Sequence, residues 1–344
     1  MSLEEIVETK EVIVNKMKRR LITPNEIKAR YPLDNGSEET VLNSRRDIAK
    51  ILEGKDNRLL IITGPCSIDN TDAALEYARK LRELQSEVKE KVYLVMRTYF
   101  EKPRTTIGWT GFIPDPNQDN SHHFEEGLNK ARKLLKEITK REIPCATEFL
   151  NPLVALYIED LISYGSIGAR TTESQTSREL ASSLLMSIGF KNSTGGDIEP
   201  AINGIISAQG SHSYLGIDNN GQISVINSNG NIYAHPILRG GTNGPNYDET
   251  SIRNAIELLE KKGLNKGIVV DCSHANSQKD YNRQTRIAEE VIRQRGQNPK
   301  IRGLMIESYL LEGQGNQYGQ SKTDGCINWE TTYKLIKDIN QKLG

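Results

Sequence analysis

The stretch Leu59-Leu60-Ile61-Ile62-Thr63-Gly64-Pro65-Cys66-Ser67 decides the fold. A short apolar run that stops at a Gly-Pro break reads as a strand, and the polar residues after the break sit at its carboxyl end. Similar runs recur along the chain. With residues 59–63, the candidate strands are 92–97, 145–148, 167–170, 189–191, 214–217, 268–271 and 304–307. Helical patterns separate them at residues 71–88, 121–140, 152–164, 174–187, 198–208, 248–262 and 280–295, and a last one at 330–343 ends the series. Strands alternating with helices predict parallel strands joined by crossovers. Eight such strands close an α/β (β/α)8 barrel, the TIM barrel; an open doubly wound sheet is the competing architecture.

Two regions depart from the alternation. Residues 221–226 and 232–239 are alternating apolar stretches flanking Asn227-Ser228-Asn229-Gly230-Asn231, which predicts a β-hairpin inserted between strands 6 and 7 of the barrel, within residues 218–239. Residues 1–45 form an N-terminal extension, an arm set off from a catalytic barrel over 46–344. In the arm, Thr23-Pro24-Asn25-Glu26 is a capping box with proline at the first helical position, and predicts a short helix to Tyr31. Val12-Ile13-Val14 suits an edge strand. Such an arm buries little alone and is expected to pack on the barrel or on another subunit.

Composition narrows the function. The 344 residues carry 45 Lys and Arg against 45 Asp and Glu, so no basic excess marks a nucleic-acid binder. No apolar run reaches the ~18–20 residues of a membrane span, and the acidic start lacks the order of a signal peptide. Four scattered cysteines suit reduced thiols, and a cytoplasmic location is expected.

Active sites in (β/α)8 barrels are built at the carboxyl ends of the strands. Two groups of residues fall there. The first is cationic: Arg97, Lys102, Arg104, Arg170, Lys191 and Arg239. Six cations converging in a neutral protein call for anionic ligands, and the planar guanidinium suits phosphate and carboxylate. Small, phosphorylated ligands are expected. The second is Cys66, His274, Glu307 and Asp324, a mixed sulfur, nitrogen and oxygen set. Such a set suits one divalent transition metal, Mn, Fe, Co or Zn, better than Mg or Ca. Closure of the barrel would bring strands one, seven and eight together and these residues with them.

Here the sequence takes on a resemblance. Gly64-Pro65-Cys66-Ser67-Ile68, Arg97 with Lys102-Pro103-Arg104-Thr105-Thr106-Ile107-Gly108-Trp109, Gly168-Ala169-Arg170-Thr171-Thr172-Glu173-Ser174, Gly189-Phe190-Lys191-Asn192, Leu238-Arg239-Gly240-Gly241, Asp271-Cys272-Ser273-His274-Ala275-Asn276 and Ile306-Glu307-Ser308 together resemble the type I 3-deoxy-D-arabino-heptulosonate 7-phosphate (DAHP) synthases. The resemblance runs in order from about Leu21 to the C-terminus. It implies a transferase that condenses phosphoenolpyruvate with erythrose 4-phosphate and releases phosphate, at the entry of the shikimate pathway to the aromatic amino acids. It implies Cys66, His274, Glu307 and Asp324 as metal ligands. Arg97, Lys102, Arg170, Lys191 and Arg239, with the Ala169 backbone N–H, would hold phosphoenolpyruvate, and Arg104 and Thr105 erythrose 4-phosphate. Lys102 or Glu148 would handle a proton; Lys102 is favoured, on the expectation that neighbouring cations lower its pKa.

Relatives of this type are commonly dimers or tetramers and are often inhibited by an aromatic amino acid. Two serines line the effector pocket of phenylalanine-sensitive relatives; the matching positions here are Leu185 and Gly216, which argues against phenylalanine and leaves tyrosine, tryptophan, another effector or none. Two rival readings stand beside this one: 3-deoxy-octulosonate 8-phosphate synthase on the same barrel, and a sensor that binds phosphorylated sugars or metal without turnover.

Overall fold

The computed structural model describes residues 20–343. The expected edge strand at Val12-Ile13-Val14 lies outside the described residues. Among the described residues ten strands are present: β1 (Leu59–Gly64), β2 (Val92–Arg97), β3 (Cys145–Glu148), β4 (Tyr164–Ile167), β5 (Ser187–Lys191), β6 (His212–Ile217), β7 (Ile223–Ser228), β8 (Ala234–Leu238), β9 (Ile268–Asp271) and β10 (Ile301–Glu307). Eight of them close a parallel barrel in the order β1-β10-β9-β8-β5-β4-β3-β2, so the open-sheet alternative falls. The helices are α1 (Pro24–Arg30), α2 (Asn35–Glu53), α3 (Thr71–Val88), α4 (Phe124–Thr139), α5 (Pro152–Ile158), α6 (Gln175–Ser183), α7 (Glu199–Gln209), α8 (Glu249–Lys261), α9 (Gln284–Arg295) and α10 (Trp329–Lys342).

Side-chain alternation explains why the strands read as apolar runs. In β1, Leu59 and Ile61 face the helices, while Leu60 and Ile62 join Val95, Tyr164, Ile237, Val269 and Met305 inside the barrel. Both faces are dry, so both positions of the two-residue period are apolar. Ile48, Ile51 and Leu52 of α2 pack into the same inner cluster, so α2 stoppers the barrel at the end opposite the strand C-termini. No single stretch of sequence announced α2, and the boundary drawn at residue 45 falls inside it. Helix α1 starts where its capping box predicts: Thr23 Oγ1 accepts the Glu26 N–H, and Glu26 Oε2 accepts the Thr23 N–H at 2.7 Å. Among the described residues, no helix is long and apolar enough to cross a membrane.

Four expectations are corrected. The sixth barrel strand is β8, not residues 214–217, and the hairpin lies between the fifth and sixth barrel strands. The hairpin consists of β6 and β7, paired antiparallel from His212↔Ser228 to Ile217↔Ile223. All five residues of β8 are buried, whereas β6 and β7 keep one face open. The Asn/Gly segment is not the hairpin turn, because Asn231 is buried and its amide donates to the carbonyls of Ala181, Leu184 and Met186. Those bonds pin it under α6 as the connection into β8. The fourth strand ends at Ile167, three residues before Arg170, and the chain turns there, with the Thr171 N–H donating to the Gly168 carbonyl. The helix expected over residues 152–164 stops at Ile158 and passes through one 3₁₀ turn, Glu159–Leu161, before β4.

Candidate active site

The loops at the strand C-termini enclose a cleft of about 330 Å³, near the lower end of the size range for small-molecule sites. Lys102, Arg104, Thr105, Glu148, Ala169, Arg170, Lys191, Arg239, His274 and Asp324 line it. Cys66, Arg97 and Glu307 lie buried beneath it. Every site residue singled out from the sequence is therefore in or under one cleft, although they come from all eight strand ends.

The floor is built by β1, β10 and the loop after β10. Cys66 Sγ and carboxylate oxygens of Glu307 and Asp324 all lie within 4.8 Å of one another. His274 stands at their margin, its Nε2 3.8 Å from Glu307 Oε1. Its Nδ1 is 2.9 Å from Asp271 Oδ2, and neither buried atom has another partner. The carboxylate on that side orients the ring so that Nε2 faces the trio. Burial and the Glu307 charge push the Cys66 thiol up to about 11, despite the opposing Lys102 ammonium. Burial works against the Glu307 carboxylate too, but His274, Arg97 and Lys102 outweigh it and hold it down at about 2. A sulfur and two carboxylates within reach of one another, with an imidazole nitrogen at their margin, suit a divalent transition metal, and a bound cation would favour the thiolate that burial opposes.

Above the floor lies the cationic wall. Arg97 is fully buried; its Nη2 donates to Glu307 Oε1 at 3.0 Å, its Nε to the Pro65 carbonyl at 3.3 Å, and Nη1 has no partner. A buried guanidinium N–H without an acceptor is costly, and an anion reaching Nη1 would relieve that cost. The Tyr99 ring lies between two cations, 4.0 Å from the Arg97 guanidinium carbon and 5.6 Å from Lys191 Nζ. Lys191 Nζ donates to Glu148 Oε2 at 2.7 Å, with both side chains nearly out of solvent. Arg239 is set by Asn192, which accepts its backbone N–H at 2.8 Å and donates to the Gly240 carbonyl. Gly240 is left-handed there, and a side chain would strike the Asn276 backbone, so the turn requires glycine. Arg170 Nη2 donates to Thr105 Oγ1 at 3.1 Å and ties the wall to the outer loop carrying Arg104.

One electrostatic expectation is overturned. Lys102 does not have a lowered pKa. Burial lowers it, but Cys66, Glu307 and Asp324 outweigh burial and the ammonium is held above its usual value. Lys102 Nζ donates to Cys66 Sγ at 3.0 Å and to the Cys66 carbonyl at 3.2 Å, so it faces the anionic floor rather than its cationic neighbours.

Sequence reading missed several lining residues, among them Tyr99, Glu101, Thr194, Ser273 and Lys279. Ser273 donates to Glu307 Oε2 at 2.5 Å. Burial, and then Glu148, push Glu101 up to about 7. Tyr99 and Glu101 stand two and four residues past Arg97, and proximity to a strand end was the signal available for them. Leu185, one of the two positions matched to the effector pocket, is 82% exposed.

The fold and cleft define a (β/α)8-barrel protein that gathers small phosphorylated anions over a cluster of metal-ligand type. Comparison with known proteins narrows the class. The model of the DAHP synthetase I family matches residues 28–337, and the chain belongs to that family. It is 47% identical over 332 residues to the Tyr-sensitive phospho-2-dehydro-3-deoxyheptonate aldolase of Escherichia coli K12, covering 94% of this chain and 93% of that protein. The Trp-sensitive enzyme of the same strain is 46% identical over 327 residues, covering 93% and 94%. A solved structure of the phospho-2-dehydro-3-deoxyheptonate aldolase of Francisella tularensis SCHU S4 superposes with a TM-score of 0.94 at 42% identity, covering 95% of this chain and 98% of that one.

Proposed function

We infer that this cleft condenses phosphoenolpyruvate with erythrose 4-phosphate to give DAHP and phosphate, the reaction of a 3-deoxy-7-phosphoheptulonate synthase. The single observation that carries the assignment to residues is the stacking of the Cys66, Glu307 and Asp324 cluster directly under the cationic wall of one small cleft. One face orients a phosphorylated enol carboxylate while the other meets a carbonyl oxygen. Cys66, Glu307 and Asp324, with His274 at their margin, would hold the divalent metal. When bound, it supplies Lewis acidity toward the aldehyde carbonyl.

The protein's own groups do the rest. Arg170, Lys191 and Arg239 take the phosphate of phosphoenolpyruvate, and the unpartnered Nη1 of Arg97 takes its carboxylate, with the Ala169 N–H adding a donor. Arg104 and Thr105 take erythrose 4-phosphate. Holding two anions face to face removes much of the entropic barrier to their meeting. C3 of the enol bonds to the aldehyde carbon, and positive charge develops at C2. Water adds to C2, the aldehyde oxygen takes up a proton, and the C2–O bond to phosphate breaks. Lys102, held as an ammonium, is the proton donor on the aldehyde side. Glu148 is kept ionised because Lys191 outweighs its burial, and it takes the proton of the attacking water. These opposite directions separate acid from base.

Both curated relatives bear effector sensitivities in their names, and we extend that to a site for tyrosine or tryptophan, with Leu185 and Gly216 in place of a polar lining. Exposed Leu215, Ile223 and Val225 on the outer face of the hairpin support a homodimer or homotetramer.

A coupled assay tests the function. Phosphate release requires both substrates and is lost on chelation, with recovery on adding Mn, Fe, Co or Zn. Turnover with arabinose 5-phosphate in place of erythrose 4-phosphate would point instead to the octulosonate enzyme. Binding without turnover would leave the sensor reading.

A further inference from the structure

The loop after β9 carries strain that the metal-ligand set alone does not account for. His274, Gln278 and Lys279 all have left-handed backbone, with φ of 55°, 54° and 62°. A non-glycine residue held there costs of the order of 1 kcal/mol, and such strain concentrates at functional sites. The turn is locked onto itself, because the Lys279 N–H donates to the His274 carbonyl at 2.8 Å and the Gln278 N–H to that of Ala275 at 3.1 Å. One tight turn therefore fixes two side chains. His274 goes to the floor, and Lys279 lines the mouth of the cleft.

Among the described residues Lys279 has no ion-pair partner. The adjacent Asp280 is engaged elsewhere: its carboxylate faces Arg283 at 3.4 Å and accepts the Asn282 N–H at 3.1 Å. The order of strands places this lysine well round the ring from the other outer cations. The loop after β9 is three strand positions from the loop after β2, which carries Arg104 and Thr105, and three from the loop after β4, which carries Arg170. The mouth of this one cleft is thus cationic on two sides, with Lys279 on one and Arg104 and Arg170 on the other.

We propose that Lys279 is a specificity-determining residue for the second phosphorylated substrate, meeting its phosphate from the side of the mouth facing Arg104 and Arg170. The proposal deepens the reading given above and rests on it. The strained turn supplies a rigid base for a flexible ammonium, so that the substrate is gripped without closing a lid. The inner cleft, where phosphoenolpyruvate binds, does not depend on this charge.

The test is steady-state kinetics of the metal-loaded enzyme and its Lys279→Met and Lys279→Arg variants. Lys279→Met is expected to raise KM for erythrose 4-phosphate about tenfold, which corresponds to about 1.4 kcal/mol. The expected kcat and KM for phosphoenolpyruvate stay within twofold of wild type. Lys279→Arg is expected to recover most of the affinity. The tenfold gap between wild type and Lys279→Met is expected to shrink as salt rises, since an exposed charge is screened. An unchanged KM for erythrose 4-phosphate in an active Lys279→Met enzyme overturns the proposal. So does a fall in kcat with loss of bound metal in both variants, which would show that the lysine only shapes the His274 turn. If the wild type releases no phosphate with erythrose 4-phosphate, the underlying functional reading fails instead, and the two failures are distinct.

Discussion

Replacing Gly168 with alanine tests the catalytic geometry without touching a charged group. Gly168 follows β4, and its backbone is not left-handed, so alanine suits the conformation. The added methyl, however, would lie 2.7 Å from Glu148 Oε1 and 3.1 Å from its Cδ. Ordinary contact begins near 3.4 Å, so the carboxylate must retreat by about 0.7 Å. Glu148 cannot retreat freely, because Oε2 is held by Lys191 at 2.7 Å and both side chains are buried. Either the pair stretches or Glu148 leaves its rotamer, at a cost of roughly 0.5–1.5 kcal/mol. Misplacement of about 1 Å in a catalytic constellation costs on the order of a hundredfold, so a displacement of this size predicts a ten- to hundredfold fall in kcat. The assay is phosphate release at saturating phosphoenolpyruvate and erythrose 4-phosphate, beside a thermal melt. The midpoint should move by no more than roughly 4 °C, because one strained side chain in a large domain shifts it little. The double variant Gly168→Ala with Glu148→Gln should be no slower than Glu148→Gln alone, since the methyl acts through that carboxylate. A Gly168→Ala enzyme within twofold of wild type, or a double variant with additive losses, refutes the reasoning.

Further outcomes follow from the buried charges. Arg97→Met should destabilise the metal-free protein by about 3–5 kcal/mol in urea melts, because it leaves Glu307 buried without its guanidinium. His235 is fully buried, and burial lowers it to about 4, so it folds neutral. Its folded pKa lies below the unfolded value of about 6.5, so its contribution is full above pH 6.5 and is lost as pH falls toward 4, by roughly 3 kcal/mol in total. His235→Gln should flatten the stability profile in that window; an unchanged slope would contradict the burial argument. Glu101→Gln should remove an ionisation near pH 7 from the kcat profile, and identical profiles would show that this carboxyl does not report on turnover.

The sequence disclosed the barrel well because eight dry strands leave no polar face to confuse the reading. It misplaced the hairpin because β8, Ala234-His235-Pro236-Ile237-Leu238, contains a histidine and a proline that argue against a central strand. Tertiary structure absorbs both: His235 meets the Tyr164 hydroxyl at 2.9 Å inside the barrel. Helix α2 was missed because its composition is largely polar, and its core face rests on four scattered apolar residues, Val41 and the three that stopper the barrel. The strand-end residues were legible because position within the fold determines what they line. Lys102 was not legible, since the sign of its shift depends on which neighbours are within reach, and the anions of the floor are closer than the cations of the wall. Lys279 was missed because a rim lysine carries no signal until its backbone and its lack of a partner are seen.

Ring closure has a bearing on how the enzyme is made. The first barrel strand, β1, has the last one, β10, as a neighbour, and the floor draws Cys66 from one end of the chain and Glu307 and Asp324 from the other. A ribosome emitting this polypeptide exposes the thiol some 240 residues ahead of the acidic donors. A cation held by this cluster would be taken up only after the end of the chain has docked, and a chain truncated before Glu307 would have neither a sealed barrel nor the full cluster.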